Sequence, residues 1–417
     1  MRSVARWLAD QERIDSVLEA LPSGMDRVER ARCQHLVYGV VRHAGRLEEL
    51  LNLLIAHPPR FTTRAALLLA GFELIDAADP GAQARIVHHA VEQTKALASP
   101  AEARLVNAVG RRLAAALAAQ KPLPRFASAE ELGERYSHPV WLVRRWLIAF
   151  GAEPTRRLLE WNQTPAPVHL RWRQPAAAPP PWAQATAWPG FFSALPGHWP
   201  EIEAEISAGR AYVQDPGTRL AVELLDPRPG ETILDACAAP GGKALQIADA
   251  MRTGRLVALD ASGAEAGDPR FRRLTDNLRS SPLPVAAVGL DLLHPRLGAE
   301  LERRGAPARY DAVLLDAPCS NTGVMRHRID VKWRLRETDF GRHARQQLQL
   351  LAAAAALVAP GGRLVYSTCS IDPEENEQVA GRFLERHPGF QGGRQALARP
   401  WTEGHDGAGV FVFRSGH

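Results

Sequence analysis

Cysteine is scarce in this chain: four among 417 residues, at Cys33, Cys237, Cys319 and Cys369. They show no CxxC spacing and no cluster with histidine, which excludes a zinc-binding module and a disulfide scaffold. Long apolar runs are missing too. The longest helical one, from Leu348 to Ala359, is interrupted by Gln349 and stopped by Pro360, well short of the roughly 18 residues that cross a bilayer. The first residues, MRSVARWLADQERID, are charged and contain no signal-peptide apolar region. Lysine is rare, with four of the 51 basic residues and arginine supplying the others. Together these absences predict a soluble, cytoplasmic protein with no metal centre.

What is present fits a folded, multidomain protein. Apolar residues make up 46% and charged residues 23%, so the chain is not disordered. At about 100–200 residues per domain the length predicts two to four domains. The net charge is +5, distributed as +4 over residues 1–125, +2 over 126–200 and −1 over 201–417. A mild basic excess in the first half permits nucleic-acid binding without establishing it.

Residues 1–122 read as an all-α domain. Between Asp26 and Leu54 apolar residues recur at helical spacing (Leu36, Val40, Leu47, Leu51, Leu54). Further helices are predicted over 63–77, 83–97 and 104–119, the last with Ser99 as a candidate N-cap. Residues 123–210 form an expected connector with short helices over 141–150 and 153–161, a Pro-rich loop over 174–182, and seven of the ten tryptophans. Those rings could stack on bases, but packing a small subdomain is the reading favoured over it. Residues 211–417 change period. Apolar, β-rich runs (232–237, 256–260, 285–291, 312–316, 364–368, 409–413) alternate with helical patterns, which predicts a doubly wound α/β domain. In such a sheet ligands bind beyond the carboxyl ends of the strands, where Asp235, Asp260, Asp291, Asp316 and Cys369 fall.

Three motifs carry chemistry. The first is Asp235-Ala-Cys-Ala-Ala-Pro-Gly-Gly-Lys243, a strand end turning through small residues into a helix, so that backbone N–H groups can approach a ligand. It is neither a Walker A loop nor a GxGxxG dinucleotide loop. Asp260, at the end of the next strand, can accept hydrogen bonds from two ribose hydroxyls. The second is Leu314-Leu-Asp-Ala-Pro-Cys-Ser-Asn-Thr-Gly323, which places Asp316 and Cys319 after an apolar strand. The third is Tyr366-Ser-Thr-Cys-Ser-Ile-Asp-Pro-Glu-Glu-Asn376, with Cys369 at a strand end. Taken singly, each has a plain alternative: a ligand-free βα turn, a buried thiol, an inert cysteine. Two thiols and a carboxylate beside a cofactor turn suit one difficult reaction. Carbon 5 of cytosine is a poor nucleophile until a thiolate adds to C6. A carboxyl group near N3 stabilises the charge that develops, and a second thiol can assist loss of the C5 proton.

In this order the three motifs, with Gln214-Asp215 and Pro229-Gly-Glu231, resemble the RsmB/Sun family of RNA cytosine-5 methyltransferases, whose cofactor is S-adenosyl-L-methionine. The resemblance implies a Rossmann-like class I methyltransferase domain over 211–417. It makes Cys369 the nucleophile, Cys319 the thiol that assists release, and Asp316 the acid facing the base. It implies cofactor contacts from Cys237, Ala238, Ala239, Pro240, Gly241, Gly242 and Lys243, and from Asp260, Asp291 and Asp316. Gln34–Arg42 and Leu105–Leu113 resemble a NusB-like RNA-binding domain, and Tyr136–Trp141, Asn162 and Leu170-Arg171 resemble the connector of the same enzymes. The implied partner is small-subunit (16S) ribosomal RNA or its precursor particle, with no membrane, no metal and a monomeric enzyme. Arg42, Arg111 and Arg112 are candidate RNA contacts, or else ordinary solvated helix charges. Arg326 and Arg328 open a basic stretch after the second motif and are candidate phosphate contacts. Departures from the family pattern are Ala244 after the first-motif lysine, the Gly/Ala-rich segment after Asp260, Leu290-Asp-Leu292 around Asp291, and a looser segment at 406–411. The competing readings are a transfer-RNA methyltransferase and a non-catalytic RNA-binding assembly factor.

Overall fold

The computed structural model describes residues 1–77, 79–173, 179–265 and 267–416. The chain packs as two compact units, one of Met1–Pro165 with Met325–Glu337, the other of Ala166–Val324 with Thr338–His417. The segment 123–210, expected as one connector, therefore divides by packing: its helices up to Gln163 join the first unit, and its strands and the helix Trp199–Ser207 the second. Part of the Pro-rich loop, 174–178, lies outside the described residues.

The first unit is helical, with Arg2–Asp10, Ile14–Glu19, Arg27–Leu54, Phe61–Ile75, Pro80–Leu97, Pro100–Ala118, Ala129–Tyr136, Val140–Phe150 and Ala152–Gln163. Local chemistry sets the helix starts. Asp26 Oδ1 accepts from Glu29 N at 2.8 Å while Glu29 Oε2 accepts from Asp26 N at 3.2 Å, a reciprocal cap worth about 1 kcal/mol. Ser128 and Glu131 repeat the arrangement, and Ser99 caps the helix beginning at Pro100. Val40, Ala44, Leu47 and Leu51 are buried along one face of the long helix, against a core that includes Leu67, Leu68 and Leu113. Truncating one such leucine to alanine costs about 2–5 kcal/mol.

Residues 325–337 complete this unit although the chain reaches them only after eight strands of the second. Ile329 is buried in the helical core. Lys332 Nζ donates to Arg42 O at 2.8 Å and Trp333 Nε1 to Val41 O at 2.8 Å. Burial, with Arg42 next, pushes the Lys332 ammonium well below its ordinary range.

The second unit contains two sheets. Strands β1 (His169–Trp172), β2 (Ala183–Ala185), β3 (Phe191–Ala194) and β4 (Ala211–Val213) form a small antiparallel sheet in the order β2-β3-β1-β4. The main sheet is built from β5 (Thr232–Ala236), β6 (Arg255–Asp260), β7 (Val285–Gly289), β8 (Tyr310–Asp316), β9 (Val358–Thr368), β10 (Phe390–Ala398) and β11 (Ala408–Ser415), in the order β10-β11-β9-β8-β5-β6-β7. β5 to β9 are mutually parallel and β10 and β11 antiparallel. The central strands are buried on both faces, with Ile233, Leu234, Val257, Val313 and Leu314 inaccessible, hence their unbroken apolar runs. The connections from β5 lead to β6 on one side while β8 pairs on the other. The order of the parallel strands thus reverses at β5, which opens a crevice at their carboxyl ends. Among the described residues no helix is long and apolar enough to cross a membrane.

Candidate active site

The first motif leaves β5 through a tight turn. Cys237 takes a left-handed backbone, φ 63°, and Gly241 follows at φ 105°, which only glycine adopts without strain. Ala238 N donates to Leu259 O at 2.9 Å and Gly241 N to Ala238 O at 2.7 Å, and the helix Gly242–Met251 begins immediately afterwards. Asp260 is buried at the end of β6 and holds this turn. Its Oδ2 accepts from Ala239 N at 2.9 Å, and its Oδ1 accepts from Ser262 N at 2.9 Å and from Ser262 Oγ at 2.5 Å. Past Ser262 the Gly-rich segment turns through Ala261–Ala264 and lies on the end of β7. A Cβ on Gly289 would sit 2.1 Å from Gly263 O.

Between β5 and β8 the charges are paired. Lys243 Nζ donates to Asp316 Oδ2 at 2.7 Å, and Ser367 Oγ donates to Asp316 Oδ1 at 2.9 Å. Burial alone would lower the Lys243 value, but Asp316 outweighs it and the ammonium is held above its ordinary range. Asp235, fully buried, is the reverse case. Burial first, then Asp316 and Asp260, outweigh Lys243 and the Ala244 N–H and push its carboxyl up to about 8. Cys237 is likewise raised by burial and the surrounding carboxylates.

The two remaining cysteines meet. Cys319, in the loop after β8, and Cys369, after β9, have their sulfur atoms 3.2 Å apart. A buried polar network fastens the two loops together. Ala317 N donates to Ser367 O at 2.8 Å and Gly323 N to Cys369 O at 2.9 Å. Gly323 must be glycine here, since a Cβ would sit 2.8 Å from Cys369 O and from Gly407 O. Glu375, inaccessible to solvent, accepts from Ser320 N at 2.9 Å and Gln347 Nε2 at 3.0 Å, and from Ser320 Oγ. Gln347 Nε2 also donates to Pro318 O at 3.0 Å. Thr322 Oγ1 donates to Asp372 Oδ2 at 2.6 Å, and Thr368 Oγ1 to Asn376 Oδ1 at 2.7 Å. Cys319 is raised well above the ordinary thiol range, first by its hydrogen bond to Cys369, then by burial, then by the charges of Cys369 and Glu375.

A family model described as 16S rRNA methyltransferase RsmB/F matches residues 222–404, and a NusB family model matches residues 2–115. The ribosomal RNA small subunit methyltransferase B of Vibrio cholerae is 32% identical over 96% of this chain and 94% of its own length. The chain belongs to the RsmB/F family of methyltransferases. Its counterpart from Yersinia pestis is 30% identical over 98% of this chain and 96% of its own. Among solved structures, PH0851 superposes with a TM-score of 0.76 at 23% identity, covering 99% of this chain and 97% of that one. A methyltransferase homolog from Pyrococcus horikoshii superposes at 0.55 and 24% identity, covering 69% and 99%. These two show the shared fold.

Within this RsmB/F member, the residues singled out in the sequence separate into three groups. The first-motif turn, Asp260, Asp316, Cys319 and Cys369 converge at the carboxyl ends of β5, β6, β8 and β9. Asp291 follows β7 and is exposed, its Oδ1 accepting from Leu293 N at 2.9 Å. The arginines lie in the helical unit. Arg42 is buried there, 8% accessible, with its guanidinium on Arg326 O and its value pushed down to about 10 by burial and by Arg326; it is a packing residue rather than a surface one. Arg326 stacks 4.1 Å from the Trp161 ring and donates to Pro165 O at 2.8 Å. Arg328 lies 3.6 Å from Asp15. Arg111 and Arg112 are exposed, Arg112 donating to Leu54 O at 3.2 Å. Three residues of the site escaped sequence reasoning: Asn321, Glu375 and Gln347. Glu375 stood inside a recognised motif without a role, and Gln347 was legible only as a polar residue on a buried helix face.

The family's methyl donor is S-adenosyl-L-methionine, and the residues present suit it. The small-residue turn leads into a helix at the end of β5, and a carboxylate, Asp260, ends β6. Ala244 is buried in the core beneath the turn.

Proposed function

We propose that this chain methylates C5 of a cytosine in 16S ribosomal RNA, with Cys369 as nucleophile and Cys319 as the thiol that assists release. The juxtaposition of two sulfur atoms at 3.2 Å, beside the Lys243–Asp316 pair, is the observation that carries this reading. A non-catalytic binding protein has no need to hold two thiols together with a buried polar network. Cys237 to Lys243, Asp260, Asp291 and Asp316 would hold the cofactor, which when bound supplies an electrophilic methyl group.

The chain's own groups account for the proton chemistry. The Cys369 thiolate adds to C6, forming an S–C6 bond and moving the electron pair toward C5, with Asp316 and its Lys243 partner stabilising charge at the ring edge. After C5 has been alkylated its proton must leave. While Cys369 carries charge, it holds the Cys319 proton in place. Once Cys369 is a neutral thioether its part of that hold is gone, leaving burial and Glu375; Cys319, having passed its own proton to solvent, then takes the proton from C5, directly or through water. Loss of that proton restores the C5–C6 double bond and breaks the S–C6 bond, returning Cys369 as thiolate. The target base must be unpaired or flipped, since stacking shields C6. Arg111, Arg112 and Arg328 are the exposed cations we assign to the RNA backbone.

Labelled S-adenosyl-L-methionine should transfer methyl to C5 of cytosine in 16S rRNA and not to transfer RNA. Cys369→Ala should be inactive, and Cys319→Ala should accumulate a covalent RNA adduct. An active Cys369→Ala variant would overturn the nucleophile assignment. Label in transfer RNA alone would replace the substrate, and label in neither RNA would favour an assembly factor.

A further inference from the structure

Between the two thiols stands a residue that neither the motif nor the reaction assigns. Asn321 adopts a left-handed backbone, φ 61°, a conformation that asparagine tolerates and most side chains do not. Its side chain is fixed at one end, because Nδ2 donates to Cys319 O at 2.8 Å. That bond decides which way the amide faces, so that Oδ1 is presented to Cys369 and accepts from its Sγ at 3.2 Å. The Asn321 backbone N–H is meanwhile directed at Cys319. One residue thus touches both thiols, in different capacities, on the loop that carries one of them.

We infer that Asn321 is a positioning residue for the nucleophile: its amide carbonyl aims the Cys369 S–H away from Cys319, so that the proton passes to solvent on that side when the thiolate forms, while Cys319 faces the sulfur from the other. The reasoning is directional. An amide oxygen is an acceptor only, so Cys369 must be the donor in that contact. Cys319 is then left to donate to Cys369 sulfur across the 3.2 Å gap. The hydrogen-bond chain runs from Cys319 through Cys369 to Asn321, and this order leaves Cys319 hydrogen-bonded to the thiolate when Cys369 loses its proton. Without the carbonyl, either thiol could donate to the other and the two sulfurs would become interchangeable. The inference rests on the reading of Cys369 as nucleophile but is tested separately from it.

Two substitutions distinguish aiming from mere loop structure, since both residues accept a left-handed backbone. Asn321→Gly deletes the acceptor, and Asn321→Asp keeps the shape but places a negative charge against the sulfur. Iodoacetamide labelling of the full-length protein would be followed against pH, with the Leu364–Arg382 and Tyr310–Arg326 tryptic peptides quantified separately; each contains one cysteine, Cys369 and Cys319 respectively. Asn321→Asp should shift the onset of Cys369 labelling to higher pH by about one unit or more, about tenfold slower at a fixed neutral pH. Asn321→Gly should shift it the other way, because a bond to the protonated thiol has been removed. Methyl transfer should fall at least about tenfold in kcat for Asn321→Asp at pH 7.5 and recover toward pH 9, with KM for RNA unchanged. Labelling profiles that coincide with wild type in both variants, or that move in the same direction in both, would overturn the inference. An active Cys369→Ala protein would instead remove the reading on which it rests, whatever the labelling shows.

Discussion

Glu375 offers the sharpest test of how the two cysteine-bearing loops are held. Its carboxylate takes three donors in a site without solvent: Ser320 N, Ser320 Oγ and Gln347 Nε2. In Glu375→Ala the hydroxyl can turn to Ser370 Oγ, 3.2 Å away, and Gln347 keeps Pro318 O. Ser320 N–H has no such alternative. One orphaned buried donor costs about 1–3 kcal/mol, and the space left by the missing methylene and carboxyl adds about 1–2 kcal/mol. The sum is about 2–5 kcal/mol. Glu375→Gln keeps an oxygen for Ser320 N–H and gives up mainly the bond from Gln347, so about 1 kcal/mol is expected. Urea unfolding would measure both. Because Ser320 directly follows Cys319, methyl transfer should fall more steeply than stability, by about 100-fold in Glu375→Ala. Cofactor affinity measured by calorimetry should stay within about threefold. A Glu375→Ala protein as stable as wild type and fully active would refute the view that this network sets the spacing of the thiols.

Further outcomes follow from individual residues. Asp235 keeps its proton in the folded protein up to about pH 8 but loses it near 3.9 when unfolded. Its contribution to stability is therefore present below pH 4 and is lost as pH rises through 8, by at most about 1.4 kcal/mol per unit. Asp235→Asn, shaped like the protonated acid, should flatten the decline in urea midpoint between pH 5 and 8; an unchanged slope would show that Asp235 is ionised. Arg111→Ala with Arg112→Ala should weaken RNA binding and reduce the slope of log K against log salt by about 0.7 for each phosphate no longer neutralised, with an unchanged slope returning these arginines to ordinary surface charge. Lys332→Met should cost less than Lys332→Ala in thermal unfolding, because the side chain is buried and its packed stem matters besides its bond to Arg42 O; the opposite ranking would mean that the ammonium dominates.

How much of this was legible in the sequence varies from element to element. The long helix from Arg27 and the parallel strands β5, β6 and β8 were predicted within one or two residues, because a buried face imposes a period and a doubly buried strand imposes an apolar run. The cap at Ser99 was predicted for a chemical reason and holds. β10 carried no such mark: it is an edge strand, mostly exposed, with a register shift between Gly392 and Gln395. β1 to β4 are three or four residues each, too short for alternation to register. The stretch after the second motif shows a basic run in sequence, and nothing there marks that Ile329 and Lys332 are buried in the helical unit. Which core a segment completes is a non-local property. The motif cysteines and aspartates stand out because their residue types are chemically constrained; the side chains that brace them do not, because many different polar residues could satisfy a buried donor.

The placement of residues 325–337 also has a consequence for the order in which the protein is made. A ribosome releases the helices up to Gln163 long before Ile329, Lys332 and Trp333, yet Ile329 lies in the helical core, Trp333 packs against it, and Lys332 and Trp333 donate to Arg42 O and Val41 O. The amino-terminal unit must therefore wait, open at one side, until β1 to β8 have been synthesised. A fragment ending at Pro165 would keep that opening for good. A fragment starting at Ala166 would carry Ile329 and Trp333 with no core to enter. Nascent-chain protease resistance of the helical unit should appear only once residue 337 has cleared the exit tunnel, so that much of the second unit is synthesised before the first is complete.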